Sequence, residues 1–229
     1  MDDVRPPGKK IGAYAHLLAL VLRDRDFFQA TKEEMTEYFS TLLNFVDIPA
    51  EQKPDESNTW IGRVLLIAEQ LLSEDAAPQE IKWDRPKEGE SSQDEPSATY
   101  NPLVGQAEKE ALFDRILNVL PRVGKNQELA LSILRIMVIL TRNRSLAASL
   151  GRKLHIQKLF LLIKQLAGLS NERIQSAFMI ILRHVVEDEE TVRQLMRGEI
   201  QTMFEGRTRQ YDTTTYVRQL NHLIVRNPE

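Results

Sequence analysis

His184 and Glu187 stand three residues apart, close enough to share one face of a helix. Such a pair can begin a metal site, but closing one needs further ligands. No second histidine follows at ligand spacing, and His16, His155, His184 and His222 are scattered along the chain. The plainer reading is a helix-surface histidine beside an acidic run, Glu187 to Glu190, that forms a solvated turn between helices. Asp24 and Asp26 are paired carboxylates of surface type without a geometric partner. None of the ten glycines builds a phosphate loop, and neither a G-x-S-x-G elbow nor an H-E-x-x-H helix occurs. Cysteine is absent from all 229 positions, which removes disulfides, thiolate metal sites and a thiol nucleophile. These residues imply no enzyme, no metal and no cofactor.

Charge offers the other candidate chemistry. The formal net charge is −3, so a charged partner must be met by a local patch rather than by a global field. Two basic stretches qualify. Arg142, Arg144, Arg152 and Lys153 surround a turn between helices, and Arg193, Arg197, Arg207, Arg209 and Arg218 form a second group. Solvated charge at helix ends is the default for both. A groove for an acidic segment or a phosphate backbone is the sharper alternative. Phe204, Tyr211 and Tyr216 are the only rings near the second stretch, too few for single-strand stacking, so nucleic acid is disfavoured as a partner.

Helices must position these side chains. Helical spacing of apolar residues recurs at Met35, Tyr38, Phe39, Leu42, Leu43 and Val46; at Ile61, Val64, Leu65, Ala68, Leu71 and Leu72; and at Leu112, Phe113, Ile116, Leu117 and Leu120. Later sets are Ile174, Ala177, Phe178, Ile181 and Val185, then Tyr216, Val217, Leu220, Leu223 and Ile224. Residues Ile11 to Leu22 and Leu129 to Leu140 are apolar nearly all round, the pattern of a helix sandwiched between others. Thr31 with Glu34 fits a capping box, while Ser170 and Asp212 are placed to cap the helices that follow them. Pro49, Pro54, Pro121 and Gly168 fall between helices. The first residues, Met1 to Pro7, lack the order of a signal peptide, and no apolar run approaches the roughly 18 to 20 residues of a membrane helix. A soluble intracellular chain without a membrane partner is expected.

Composition changes once, over residues 73 to 102. Between Glu74 and Glu95 eight side chains are acidic and three basic, and the large apolar residues up to Tyr100 are few. Ordering such a stretch costs more backbone entropy than its burial returns. It reads as a disordered acidic linker, either an idle tether or one that docks Ile81 and Trp83 on a groove. The expected organisation is an N-terminal helical segment over 1–73, the linker over 74–102 and helical repeats over 103–229.

A weak internal repeat supports the last part. Leu112-Phe113 recurs as Leu159-Phe160, Asn126 opens a helix as Asn171 does, and Ile133-Leu134-Arg135 recurs as Ile181-Leu182-Arg183. Offsets of about 45 to 48 residues carried by helices alone are those of armadillo- or HEAT-like repeats. The fold class expected is therefore all-α, an armadillo/HEAT-like helical-repeat solenoid with the acidic linker inside it. An irregular helical bundle is the alternative.

The stretches "NTWIGRVLLIAEQLL", "ELALSILRIMVILTRNRSLAASLG", "SNERIQSAFMIILRHVVEDEETVRQLMRGEI" and "DTTTYVRQLNHLIVRNPE", taken in that order, resemble one region of the giant HECT-type ubiquitin-protein ligases of the fungal Tom and animal Huwe type. The resemblance covers residues 57 to 229 apart from the linker. It implies a long helical solenoid forming a platform around the substrate path, with a catalytic HECT domain elsewhere in the polypeptide. It implies protein substrates in the cytosol or nucleus, basic unassembled proteins among them, and the rest of the ligase solenoid as partner. Ubiquitin transfer through a HECT domain uses a cysteine thiolate, and this sequence has none. By this reading the chain is a noncatalytic scaffold segment, and its end at Glu229 is that of a fragment, a truncated gene product or a split protein. The rival is a stand-alone helical-repeat adaptor binding protein or RNA through its arginine-rich surfaces.

Overall fold

Small residues let the first and fourth helices pack closely. The computed structural model describes residues 7–47, 59–77, 102–166, 171–205 and 213–220. In it α1 (Pro7–Val21) lies along α4 (Thr59–Asp75). A Cβ added to Gly12 would stand 3.4 Å from the Trp60 Cα, and buried Ala15 and Ala19 continue the contact. Between these two helices come α2 (Arg25–Glu37) and the short α3 (Phe39–Leu43). After residue 101 follow α5 (Gln106–Val119), a 3-10 turn at Leu120–Arg122 and α6 (Gln127–Leu140). Then come α7 (Arg144–Gly151), α8 (Lys153–Gln165), α9 (Glu172–Val186), α10 (Glu189–Glu205) and α11 (Thr213–Gln219). No strand occurs among the described residues, so the chain is all-α there.

The order of contacts is regular. α4 touches α1 on one side and α6 on the other, α6 in turn touches α9, and α9 touches α10. α5 packs on α3 and α6, while α8 packs on the 3-10 turn and α7. Ile61, Val64, Leu65, Ala68, Leu71 and Leu72 are all buried on α4, as the helical spacing predicts. One continuous apolar core runs from Ala15 on α1 to Val185 on α9. α6 takes the central place expected of it, burying Leu129, Ile133, Leu134, Ile136, Met137 and Leu140.

Three local expectations need correction. α1 is not sandwiched: Tyr14, Leu17 and Leu20 are 71, 59 and 46% exposed on the face opposite α4, because no described helix covers it. Thr31 does not cap a helix. It lies inside α2, where its hydroxyl donates to the Phe27 carbonyl at 3.0 Å, and Asp24 caps α2 by accepting the Phe27 N–H at 2.9 Å. The set from Met35 to Val46 does not lie on one helix either. The chain breaks at Tyr38 between α2 and α3, leaving Tyr38 exposed while Phe39, Leu43 and Val46 are buried. Val217 on α11 is also exposed rather than covered.

Other caps follow the sequence. Asn126 and Asn171 each accept backbone N–H bonds at the starts of α6 and α9. Pro121 sits in the 3-10 turn, and Gly124, with φ 57, makes the left-handed turn before α6. Ser170, Asp212, Pro49, Pro54, Gly168, Leu223 and Ile224 lie outside the described residues. So do 78–101 of the expected linker, with Ile81 and Trp83. α4 itself continues to Asp75. No described helix is long and apolar enough to cross a membrane.

Candidate functional site

The corner between α6, α7 and α9 gathers the charge. α6 ends at Leu140, and the turn Thr141 to Asn143 delivers Arg142 and Arg144 to the surface. Asn143 accepts the Ser145 N–H and hydroxyl, so the first turn of α7 is capped from within the chain. α9 packs against both α6 and α7, and its last two turns present Ile180, Arg183, His184 and Glu187 to the same corner. Together with Thr141 and Ala147 these residues line a cleft of about 310 Å³.

One hydrogen bond fixes its floor. The Thr141 hydroxyl donates to the Met137 carbonyl at 2.7 Å and lies 2.8 Å from His184 Nδ1. A hydroxyl has a single proton, so with that proton on the Met137 carbonyl it is His184 Nδ1–H that donates to Thr141. The ring is thereby oriented with Nε2 away from the bond. Thr141 is 1% exposed, and its proton is occupied by the backbone, so the pair is a structural tie and not a nucleophile with its base. His184 is thus half-buried and bonded between helices, not a simple surface histidine. Among the described residues no three His, Cys, Asp or Glu side chains converge as metal ligands.

Charge in the cleft is unbalanced. Arg183 lies 3.7 Å from Glu187 one turn on, both side chains well exposed. Arg142 and Arg144 form no direct ion pair among the described residues. Asp188 stands beside the cleft with its carboxyl below the usual range, held there by the Thr191 hydroxyl first, then by the Thr191 N–H, with a smaller pull from Arg144. Asp188 Oδ2 accepts both Thr191 groups at 2.6 and 2.8 Å, and so caps α10. Of the run Glu187 to Glu190, expected as a turn, only Glu187 and Asp188 lie between helices; Glu189 and Glu190 open α10, with Asp188 as its cap.

The remaining basic residues are dispersed. Arg152 and Lys153 are exposed at the α7–α8 junction, a different turn from that of Arg142 and Arg144. Arg193 pairs with Glu189 at 2.6 Å along α10, and Arg197 is exposed on the same helix. Arg207 and Arg209 lie outside the described residues. The sequence marks His184 only as a possible metal ligand with Glu187, and Arg183 only through the repeat that matches Ile181-Leu182-Arg183 to Ile133-Leu134-Arg135. Its counterpart Arg135 pairs across helices with Glu69 on α4.

Comparison with known proteins covers the whole chain. It is 35% identical over 239 aligned residues, 100% of its length, to the E3 ubiquitin-protein ligase TOM1-like of Neurospora crassa. The chain is homologous to a segment of the TOM1-type HECT ligases. It is also 24% identical to the TOM1 ligase of Saccharomyces cerevisiae over 95% of its length. With the ptr1 ligase of Schizosaccharomyces pombe it shares 23% identity over 76%. The chain spans only 6, 7 and 5% of the length of the Neurospora, Saccharomyces and Schizosaccharomyces relatives. No family model matches it, and no solved structure does. Without a cysteine, these 229 residues do not contain the catalytic cysteine of a HECT domain.

Proposed function

We propose that this chain is a noncatalytic scaffold segment of a HECT-type E3 ubiquitin-protein ligase, an armadillo-like stack of helices that helps to form a substrate platform. The single observation that carries the reading is the 35% identity to a TOM1-like ligase over the entire chain. Two features of the fold support it. The successive contacts α1 to α4, α4 to α6, α6 to α9 and α9 to α10 form the nearest-neighbour pattern of a helical repeat. The exposed Tyr14, Leu17 and Leu20 give the outer face of α1 an apolar stripe suited to a further helix.

In this role the segment works with the rest of the ligase and with protein substrates in the cytosol or nucleus, and meets ubiquitin only through the full protein. The acidic stretch around Glu80 to Glu95 suits loose Coulomb capture of basic substrates. Deleting residues 78–97, which spares the buried Asp75, is expected to weaken capture of a basic protein at low salt. Unchanged capture would remove that part of the proposal.

The main test uses the intact ligase with residues 59–205 excised. Thioester formation between ubiquitin and the HECT cysteine should persist, while ubiquitin transfer to substrate should fall. Loss of thioester formation, or undiminished transfer to substrate, contradicts the scaffold role.

A further inference from the structure

The geometry points to the α6–α7–α9 cleft as a receptor for a phosphorylated side chain of a protein partner, with Arg142, Arg144 and Arg183 as its ligands. This goes beyond the scaffold reading and stands whether or not that reading holds.

Charge count comes first. Three arginines line the cleft against Glu187, and Asp188 stands beside it close enough to Arg144 to feel its charge, so the arginines outnumber the nearby carboxylates by one. A phosphomonoester carries about −1.5 to −2 at neutral pH with three acceptor oxygens, so it can engage all three guanidinium groups. A single carboxylate is satisfied by one bidentate arginine and leaves the other two unused. Among the described residues Arg142 and Arg144 form no direct ion pair, Arg144 only pulls weakly on Asp188, and the Arg183–Glu187 contact, at 3.7 Å and highly exposed, is of the weak surface class. A cleft of about 310 Å³ holds one such side chain with its immediate backbone, not a long strand.

A second cleft, near His16 on α1, shows the contrast: it balances Arg63 against Glu128 and has no excess charge.

The surroundings select a peptide over a nucleic acid. Glu187 in the lining and Asp188 beside it repel the next phosphates of a polyanion and attract basic residues flanking a single phosphorylated one. The lining offers Ala147 and Ile180 as apolar contacts and no Phe, Tyr or Trp ring for a base to stack on.

The test is a fluorescence-polarisation titration of the 229-residue chain with a labelled Gly/Ser/Lys peptide carrying one central phosphoserine. The unphosphorylated peptide and single-stranded RNA serve as comparison probes. The phosphopeptide should bind at least about tenfold more tightly than its unphosphorylated form, and RNA at equal concentration should not displace it. Arg142→Gln with Arg144→Gln, and separately Arg183→Gln, should each remove most of that preference, while Arg197→Gln on α10 leaves it. Equal binding of the two peptides, retention of the preference in the cleft variants, or displacement by RNA overturns the assignment. If a variant loses its helical circular dichroism, arginine Nε–H spectra of the unaltered chain decide. Phosphopeptide must shift the signals of Arg142, Arg144 and Arg183, and shifts confined to other arginines contradict the site.

Discussion

Asp75 Oδ1 accepts the backbone N–H of Leu103 at 2.8 Å, across 28 positions of sequence. Its other carboxylate oxygen takes the Lys109 ammonium, and the Asp75 side chain is only 3% exposed. The end of α4 is thus bonded directly to the entry of α5. Replacing Asp75 by Ala strands a part-buried N–H and the ammonium of a Lys109 side chain only 20% exposed, and should cost about 2 to 4 kcal/mol in urea unfolding. Asp75→Asn keeps an acceptor for Leu103 and should cost less. An Ala variant as stable as the parent contradicts this role.

Gly151 closes α7 against the start of α10. A Cβ there would meet Thr191 Cγ2 at 2.3 Å, and Thr191 cannot turn aside freely because Asp188 holds its hydroxyl and N–H. Gly151→Ala should destabilise by about 1 to 3 kcal/mol. In a double-mutant cycle, Thr191→Ala should recover part of that loss, since it removes the clashing methyl. Strict additivity in thermal melts would show that the two sites do not meet.

Two carboxylates give pH dependences of opposite sign. Burial pushes the Glu69 carboxyl above its ordinary value of 4.5, against the opposing pull of Arg135. The folded state therefore binds the proton more tightly than the unfolded state, and stability contributed by this group falls as pH rises from 4.5 through the raised value. Asp188 is the reverse: its lowered carboxyl supports the fold above its ordinary value of 3.8, and that support is lost as pH falls through the depressed value. Urea midpoints against pH should show Glu69→Gln flattening the decline above pH 4.5, and Asp188→Asn flattening the acid limb. An unchanged profile in either variant refutes the corresponding assignment.

The outer face of α1 should be indifferent in the isolated chain. Leu17→Lys with Leu20→Lys is expected to change the unfolding free energy by less than about 0.5 kcal/mol, whereas Leu65→Ala on buried α4 should cost about 2 to 5 kcal/mol. In an intact ligase the same two lysines should increase proteolysis near α1, where a neighbouring helix is proposed. Equal sensitivity of both faces in the isolated chain contradicts the exposed packing of α1.

Much of this fold is written in single-helix patterns. The α4 and α6 faces, the asparagine caps at 126 and 171 and the breaker at Pro121 all follow from local spacing and backbone chemistry, and the structure shows them where expected. Elsewhere a local signal was outvoted by tertiary context. Thr31 and Glu34 have the types of a capping box, but Asp24 starts the helix about two turns earlier. Ile11 to Leu22 looks sandwiched by composition, yet one of its two apolar faces has no described neighbour. The candidate site was half legible. Arg142 and Arg144 stand out as a basic pair, whereas Arg183 and His184 join them only because α9 crosses the end of α6, a pairing that spans 43 positions at Thr141 and His184.

The most direct test of the ligase-segment reading is the size of the native polypeptide, read by immunoblot of cell extract with an antibody raised against residues 103–229. A single very large band, far above the 26.4 kDa of this chain, is the predicted result. A single band at 26.4 kDa would contradict it and leave a free-standing helical adaptor whose ancestry alone lies with the ligases.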